Sequence, residues 1–89
     1  MTDAPWRVEL TRGAAHDLKR LDPPVRRRIL AALDGLVAEP PMGDVRRLTG
    51  RDDEWRLRVG DWRVRFTRHP DERVIVVQRV LPRGRAYRD

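Results

Sequence analysis

The sequence predicts an α+β domain, with an N-terminal strand and an antiparallel helical hairpin packed on one face of a small, mainly antiparallel sheet. Three observations carry this. Apolar residues recur at helical spacing through much of the first half, whereas in the second half they alternate or run together. Trp55 to Phe66 is a pair of alternating runs hinged on Gly60-Asp61, a strong β-hairpin signal. Val74 to Val80 is almost unbroken in its apolar character, as expected for a central strand covered on both sides. With neither an internal repeat nor a linker, all 89 residues are expected to form one domain.

Taken in order, Trp6, Val8 and Leu10 alternate with Arg7 and Glu9 to give a short amphipathic strand. Thr11 is a suitable N-cap, and Ala15, Leu18 and Leu21 predict a first helix from about Arg12 to Leu21. Asp22 caps the next helix. Pro23 and Pro24 suit its first turn, where a missing N–H does no harm. Val25, Ile29, Leu33, Leu36 and Val37 form its apolar stripe, and Pro40-Pro41 stops it. Arg26, Arg27 and Arg28 are read as a solvated surface of that helix. Val45 to Leu48 is a candidate strand, and Arg51 to Glu54 an exposed turn.

In the hairpin, a loop at Gly60-Asp61 sets Val59 opposite Trp62, Leu57 opposite Val64 and Trp55 opposite Phe66. The aromatic residues of that face are expected to be core under the helices. The other face carries Arg58 opposite Arg63 and Arg56 opposite Arg65. Like charges directly opposite one another destabilise a sheet, so this ladder calls for an anion. Thr67 to Glu72, with its His-Pro-Asp, reads as a turn, and the tail from Leu81 is basic and aperiodic, carrying Arg83, Arg85, Tyr87 and Arg88.

Charge is distributed unevenly. Residues 1–44 hold seven basic and seven acidic side chains, while residues 45–89 hold thirteen arginines against seven acids, which is the whole net charge of +6. The second half is therefore expected to carry a surface for phosphates or acidic side chains. The chain has no cysteine, so a disulfide framework and a thiolate metal site are excluded. No stretch has the roughly 18 apolar residues of a membrane span, and the start has no signal-peptide core. The expected setting is cytoplasmic, with no cofactor or metal and no membrane partner.

The segment Arg-Leu-Arg-Val-Gly-Asp-Trp-Arg-Val-Arg-Phe, the preceding Val-Arg-Arg-Leu-Thr-Gly, the helical hairpin with Leu18-Lys19-Arg20-Leu21, and the ending Arg-Gly-Arg-Ala-Tyr-Arg resemble the RelE/ParE superfamily of toxins from bacterial type II toxin–antitoxin systems. The likeness spans nearly the whole chain, and the central hairpin is its most specific part. It implies a toxin neutralised by an acidic antitoxin. RelE-like members are ribosome-dependent endoribonucleases that cut mRNA, whereas ParE-like members inhibit DNA gyrase. A relative that binds antitoxin but has lost toxicity is the third alternative.

By position, the resemblance assigns the basic pair of the first hairpin strand to Arg56 and Arg58, the second-strand arginine to Arg63, the tail arginine to Arg83 and the terminal tyrosine to Tyr87. Where many relatives have Gly-His or Gly-Lys before the tail arginine, this chain has Leu81-Pro82. Metal-free RNA cleavage uses the 2′-hydroxyl as nucleophile, so a protein must take one proton, give another and stabilise charge on phosphorus. Arginine does only the last well. Arg63 and Arg83 are accordingly expected to be catalytic as charge stabilisers, with Tyr87 as proton carrier or as a stacking surface for a base. Arg56, Arg58, Arg65 and Arg85 are expected to bind phosphate. His16 and His69 have no inferable partner and are assigned no role.

Overall fold

The computed structural model describes residues 5–48, 50 and 53–83. Strand β1 (Arg7–Leu10) leads into helices α1 (Arg12–Lys19) and α2 (Pro23–Asp34), and a single 3-10 turn at Gly35–Val37 follows. Strands β2 (Asp44–Arg47), β3 (Glu54–Val59), β4 (Trp62–His69) and β5 (Val74–Pro82) complete one five-stranded sheet in the order β1-β5-β4-β3-β2. Only β1 runs parallel to its neighbour, pairing Arg7 with Val74 and Leu10 with Val77. Among the described residues no helix is long and apolar enough to cross a membrane.

The helices cover one face, α1 along β5 and α2 against β3. Ala14, Leu18, Ile29, Leu33 and Leu36 from the helical side meet Leu57, Val64, Phe66, Ile75, Val77 and Val80 from the sheet to form the core. Phe66 is fully buried, and Trp55 and Trp62 are half-buried and pack against the same cluster. Val76, on the opposite face of β5, is half-buried, so the apolar run of that strand reflects its interior place in the sheet more than a layer on both faces.

The helix boundaries have local causes. Thr11 Oγ1 accepts the Ala14 N–H at 3.1 Å and donates to the Gln78 carbonyl at 2.8 Å, while the Thr11 N–H reaches Val77 O at 3.0 Å. One residue thus caps α1 and pins it to β5. Asp22 occupies the N-cap of α2 but makes no side-chain cap bond; prolines fill the first two helical positions and leave Val25 as the nearest N–H. Arg26 departs from the expected solvated surface. Its Nε and Nη2 donate to the carbonyls of Leu18 and Leu21 at 3.1 and 2.9 Å, tying α2 to the last turn of α1 and to the link between the helices.

β1 ends opposite Val77, which leaves the rest of β5 without a strand on that side. That edge is closed by side chains. Thr11 takes the Gln78 carbonyl, the Asp17 carboxylate accepts the Val80 N–H at 2.8 Å, and two residues further Pro82 has no N–H to present. Asp17 also binds Arg79 through both oxygens, at 2.8 and 3.2 Å. The Arg79 stem lies against Gly13, where a β-carbon would stand 3.2 Å from Cδ.

Candidate functional site

The hairpin has the register read from its alternation: Val59 with Trp62, Arg58 with Arg63, Leu57 with Val64, Arg56 with Arg65 and Trp55 with Phe66. Gly60 takes a φ of +57° at the first position of the loop, the conformation a Gly-X turn demands of its glycine. The arginines therefore stand on the face away from the helices. They are joined there by β2, whose pairing sets Arg46 opposite Arg56 and Asp44 opposite Arg58. A β-bulge between Arg65 and Phe66 carries the first of these rows on to Arg79 of β5.

The arginine face is far less open than the alternation suggests. Arg56 and Arg63 are only 9% and 7% exposed. Arg56 Nη1 donates to the backbone carbonyl of Asp44 at 3.0 Å and to its Oδ1 at 3.1 Å. Arg65 Nη2 lies 3.3 Å from Glu54 Oε1, and its side chain is nearly buried. The like-charge ladder is thus partly relieved from within, by acids reached across neighbouring strands.

Arg63 is treated differently. Its Nη1 donates to the carbonyls of Gly60 and Trp62, at 3.3 and 3.2 Å, and among the described residues it meets no carboxylate. The guanidinium is held in place by neutral acceptors and keeps its full charge. Arg83 converges on the same turn, since its backbone N–H donates to Asp61 O at 2.8 Å, and its side chain is exposed. Arg58, directly opposite Arg63, is exposed too, and the carboxylate across from it, that of Asp44, is engaged by Arg56. Arg58, Arg63 and Arg83 therefore gather at the turn end of the open face as cations with no counter-ion among the described residues. Such a group can bind a phosphate or carboxylate and stabilise added negative charge, but guanidinium groups do not accept protons at ordinary pH.

Arg85 and Tyr87 lie outside the described residues. Two kinds of residue escaped the reading of the sequence. One is the set of neutralising acids, Asp44 and Glu54, 12 and 11 positions from their arginines. The other is Arg46, exposed on the arginine face. The alternation of Val45 with its neighbours could have indicated that Arg46 points outward.

A separate cleft of about 290 Å³ lies on the helix side, lined by Asp17, Arg20, Leu21, Trp62, Arg79, Val80, Leu81 and Pro82. None of the five candidates within the described residues lines it. Its one perturbed acid is Asp17. Burial disfavours the charge there, but the Arg79 and Val80 hydrogen bonds, together with the positive charge of Arg79, outweigh burial and hold the carboxyl below its ordinary value.

Comparison with known proteins agrees with this geometry. The chain superposes on the toxin in the archaeal RelE–RelB complex of Pyrococcus horikoshii with a TM-score of 0.78 and 33% identity, over 93% of this chain and all of the other. It superposes on the isolated RelE toxin of Escherichia coli with a TM-score of 0.76, covering 94% of this chain and 89% of the other, and at 17% identity that likeness is one of fold. A RelE1 toxin candidate of Methanocaldococcus jannaschii is 29% identical over 87 residues, 94% of this chain and 97% of that protein. The family model for the ParE toxin of type II toxin–antitoxin systems matches residues 8–87. Because that match takes in both helices, the whole sheet and the arginine hairpin, the chain belongs to the ParE toxin family, within the RelE/ParE superfamily of type II toxin–antitoxin toxins.

Proposed function

We propose that this toxin is a RelE-like endoribonuclease that cuts mRNA, in the cytoplasm and on the ribosome. The observation that supports this reading best is Arg63, a buried guanidinium fixed by carbonyls and lacking a carboxylate, beside the exposed Arg58 and the anchored Arg83. In the reaction a ribose 2′-oxygen attacks the adjacent phosphorus, the bond from phosphorus to the 5′-oxygen breaks, and the phosphoryl oxygens carry extra charge in between. Arg63 and Arg83 stabilise that charge, and because Arg63 is already oriented by its two carbonyls, little reorganisation is needed there as it develops. Arg58 and Arg85 hold the RNA backbone, while Arg56 and Arg65, paired with Asp44 and Glu54, brace the strands beneath it. The arginines supply no base, so the proton is assigned to Tyr87, the tail tyrosine that the family resemblance points to.

Expression in growing cells followed by primer extension tests the reading. New 5′ ends within translated messages are expected, and they should disappear in the double variant Arg83→Ala, Tyr87→Phe. Growth arrest with intact messages overturns it. The match to the ParE family model favours a second reading, in which the same cations contact DNA gyrase without chemistry. Loss of plasmid supercoiling by the purified toxin is then expected, whereas unchanged supercoiling at saturating toxin removes that reading. Under either, the resting partner is an acidic antitoxin held by the uncompensated arginines, and its affinity should fall as salt rises.

A further inference from the structure

We propose that Arg46 is a phosphate contact that extends the RNA track from the hairpin turn to the β2 edge of the sheet. The inference rests on reading the open face as an RNA surface. It starts from counting charge along the row of Arg46, Arg56, Arg65 and Arg79, which stand side by side on β2, β3, β4 and β5. Three carboxylates serve this row: Asp44 binds Arg56, Glu54 binds Arg65 and Asp17 binds Arg79. Arg46 is left over. It is exposed, and among the described residues it has no acidic partner. Together with Arg58 and Arg63 it makes a set of three uncompensated cations on adjacent strands, which stand about 4.8 Å apart.

The chemistry of the occupant follows from what surrounds these cations. Among the described residues the large hydrophobic side chains exposed to solvent are Leu10, Leu30 and Met42, one at the end of β1, one on α2 and one in the loop before β2. None lies on the arginine face. Whatever docks on these three cations, an acidic antitoxin segment at rest or RNA in action, is held there chiefly by charge, and a nucleic-acid backbone needs only fixed cations. Single-stranded RNA laid across β4, β3 and β2 would meet Arg63, Arg58 and Arg46 in turn. Arg47, the next residue on β2, pairs with Trp55 and belongs to the helix-side face, so it takes no part.

Binding of a fluorescent 2′-O-methyl oligoribonucleotide to the full chain, measured at several salt concentrations, tests this. The modified RNA lacks the nucleophilic hydroxyl and is bound without being cut. Arg46→Gln is expected to weaken binding severalfold and to lower the slope of log affinity against log salt by about 0.7, the share of one single-strand phosphate contact. Arg58→Gln should do the same, and Arg47→Gln should leave slope and affinity unchanged. All of these sites are exposed, and unchanged melting temperatures verify the fold. If Arg46→Gln binds like the parent while Arg58→Gln is weakened, Arg46 is no contact but the RNA reading stands. If neither weakens binding, both fail. Equal losses in Arg46→Gln and Arg47→Gln reduce the effect to net charge and overturn the assignment. So does a loss of affinity for poly-glutamate with RNA binding intact.

Discussion

Two rows of side chains cross the open face of the sheet, one step apart along the strands, and the protein treats them in opposite ways. In the row farther from the hairpin turn, Arg56, Arg65 and Arg79 each have a carboxylate, Arg79 through Asp17 of α1, and Arg46 at the β2 end has none among the described residues. In the row beside the turn, Arg58 and Arg63 have none among the described residues, although Asp44 stands directly across from Arg58. Asp44 gives its oxygens to the neighbouring row instead. The same residue type on the same strands is in one case folding apparatus and in the other a reserve of positive charge. Position in a ladder therefore says less about an arginine's role than the location of the nearest acid.

The sharpest way to break the distinction is to remove one arginine from each row. Arg63→Ala should lower mRNA cleavage by about 10²–10³-fold, the usual cost of losing one oriented charge stabiliser, and Arg63→Lys should recover little because a lysine that spends its one nitrogen on the Gly60 and Trp62 carbonyls has no second nitrogen to present to phosphate. In the other row, Arg56→Ala should cost about 2–3 kcal/mol of stability in urea unfolding, through a lost buried stem and charged hydrogen bonds. If Arg56→Ala instead leaves stability untouched, the division of labour between the rows is wrong.

Asp17 sharpens the comparison at the far end of the compensated row. Asp17→Ala should destabilise the fold by about 2 kcal/mol, since it strands both Arg79 and the Val80 N–H. The pH dependence has a definite sign. Because the folded carboxyl lies below its ordinary 3.8, its contribution is complete above that value and is lost as pH falls through the lower folded value. Acid unfolding of Asp17→Asn should consequently show a shallower loss of stability below about pH 4 than the parent. The smallest effect is expected at the turn both rows depend on for register. Gly60→Ala should cost about 1 kcal/mol, because alanine resists the positive φ found there, and the Arg28 guanidinium 3.2 Å from the added carbon crowds it further.

Much of the fold was legible in the sequence because it is local. Alternation around Gly60-Asp61 gave the hairpin register residue by residue, and Thr11 with Pro23-Pro24 marked both helix starts. What could not be read depends on distant partners. The parallel pairing of β1 with β5 joins segments 67 residues apart at Arg7 and Val74, and nothing in a four-residue strand names its neighbour. The β-bulge at Arg65/Phe66 likewise leaves no mark in the alternation. For the site, the face of each arginine was legible and its exposure was not. Arg56 looked like a ligand-facing cation until Asp44, on another strand, was found to hold it, and Arg26 looked like a solvated helix residue until it was seen tying α2 to α1.

The closure of the β5 edge has a consequence for measurement. Most sheet amides are shielded from solvent by a neighbouring strand, and they lose that shield only when the sheet opens. The Val80 N–H is shielded by a carboxylate, so its protection depends on the ionisation of one side chain on α1. The protection of this single amide, relative to the intrinsic exchange rate at each pH, should fall in acid before that of its neighbours, turning a backbone position into a proton counter for Asp17.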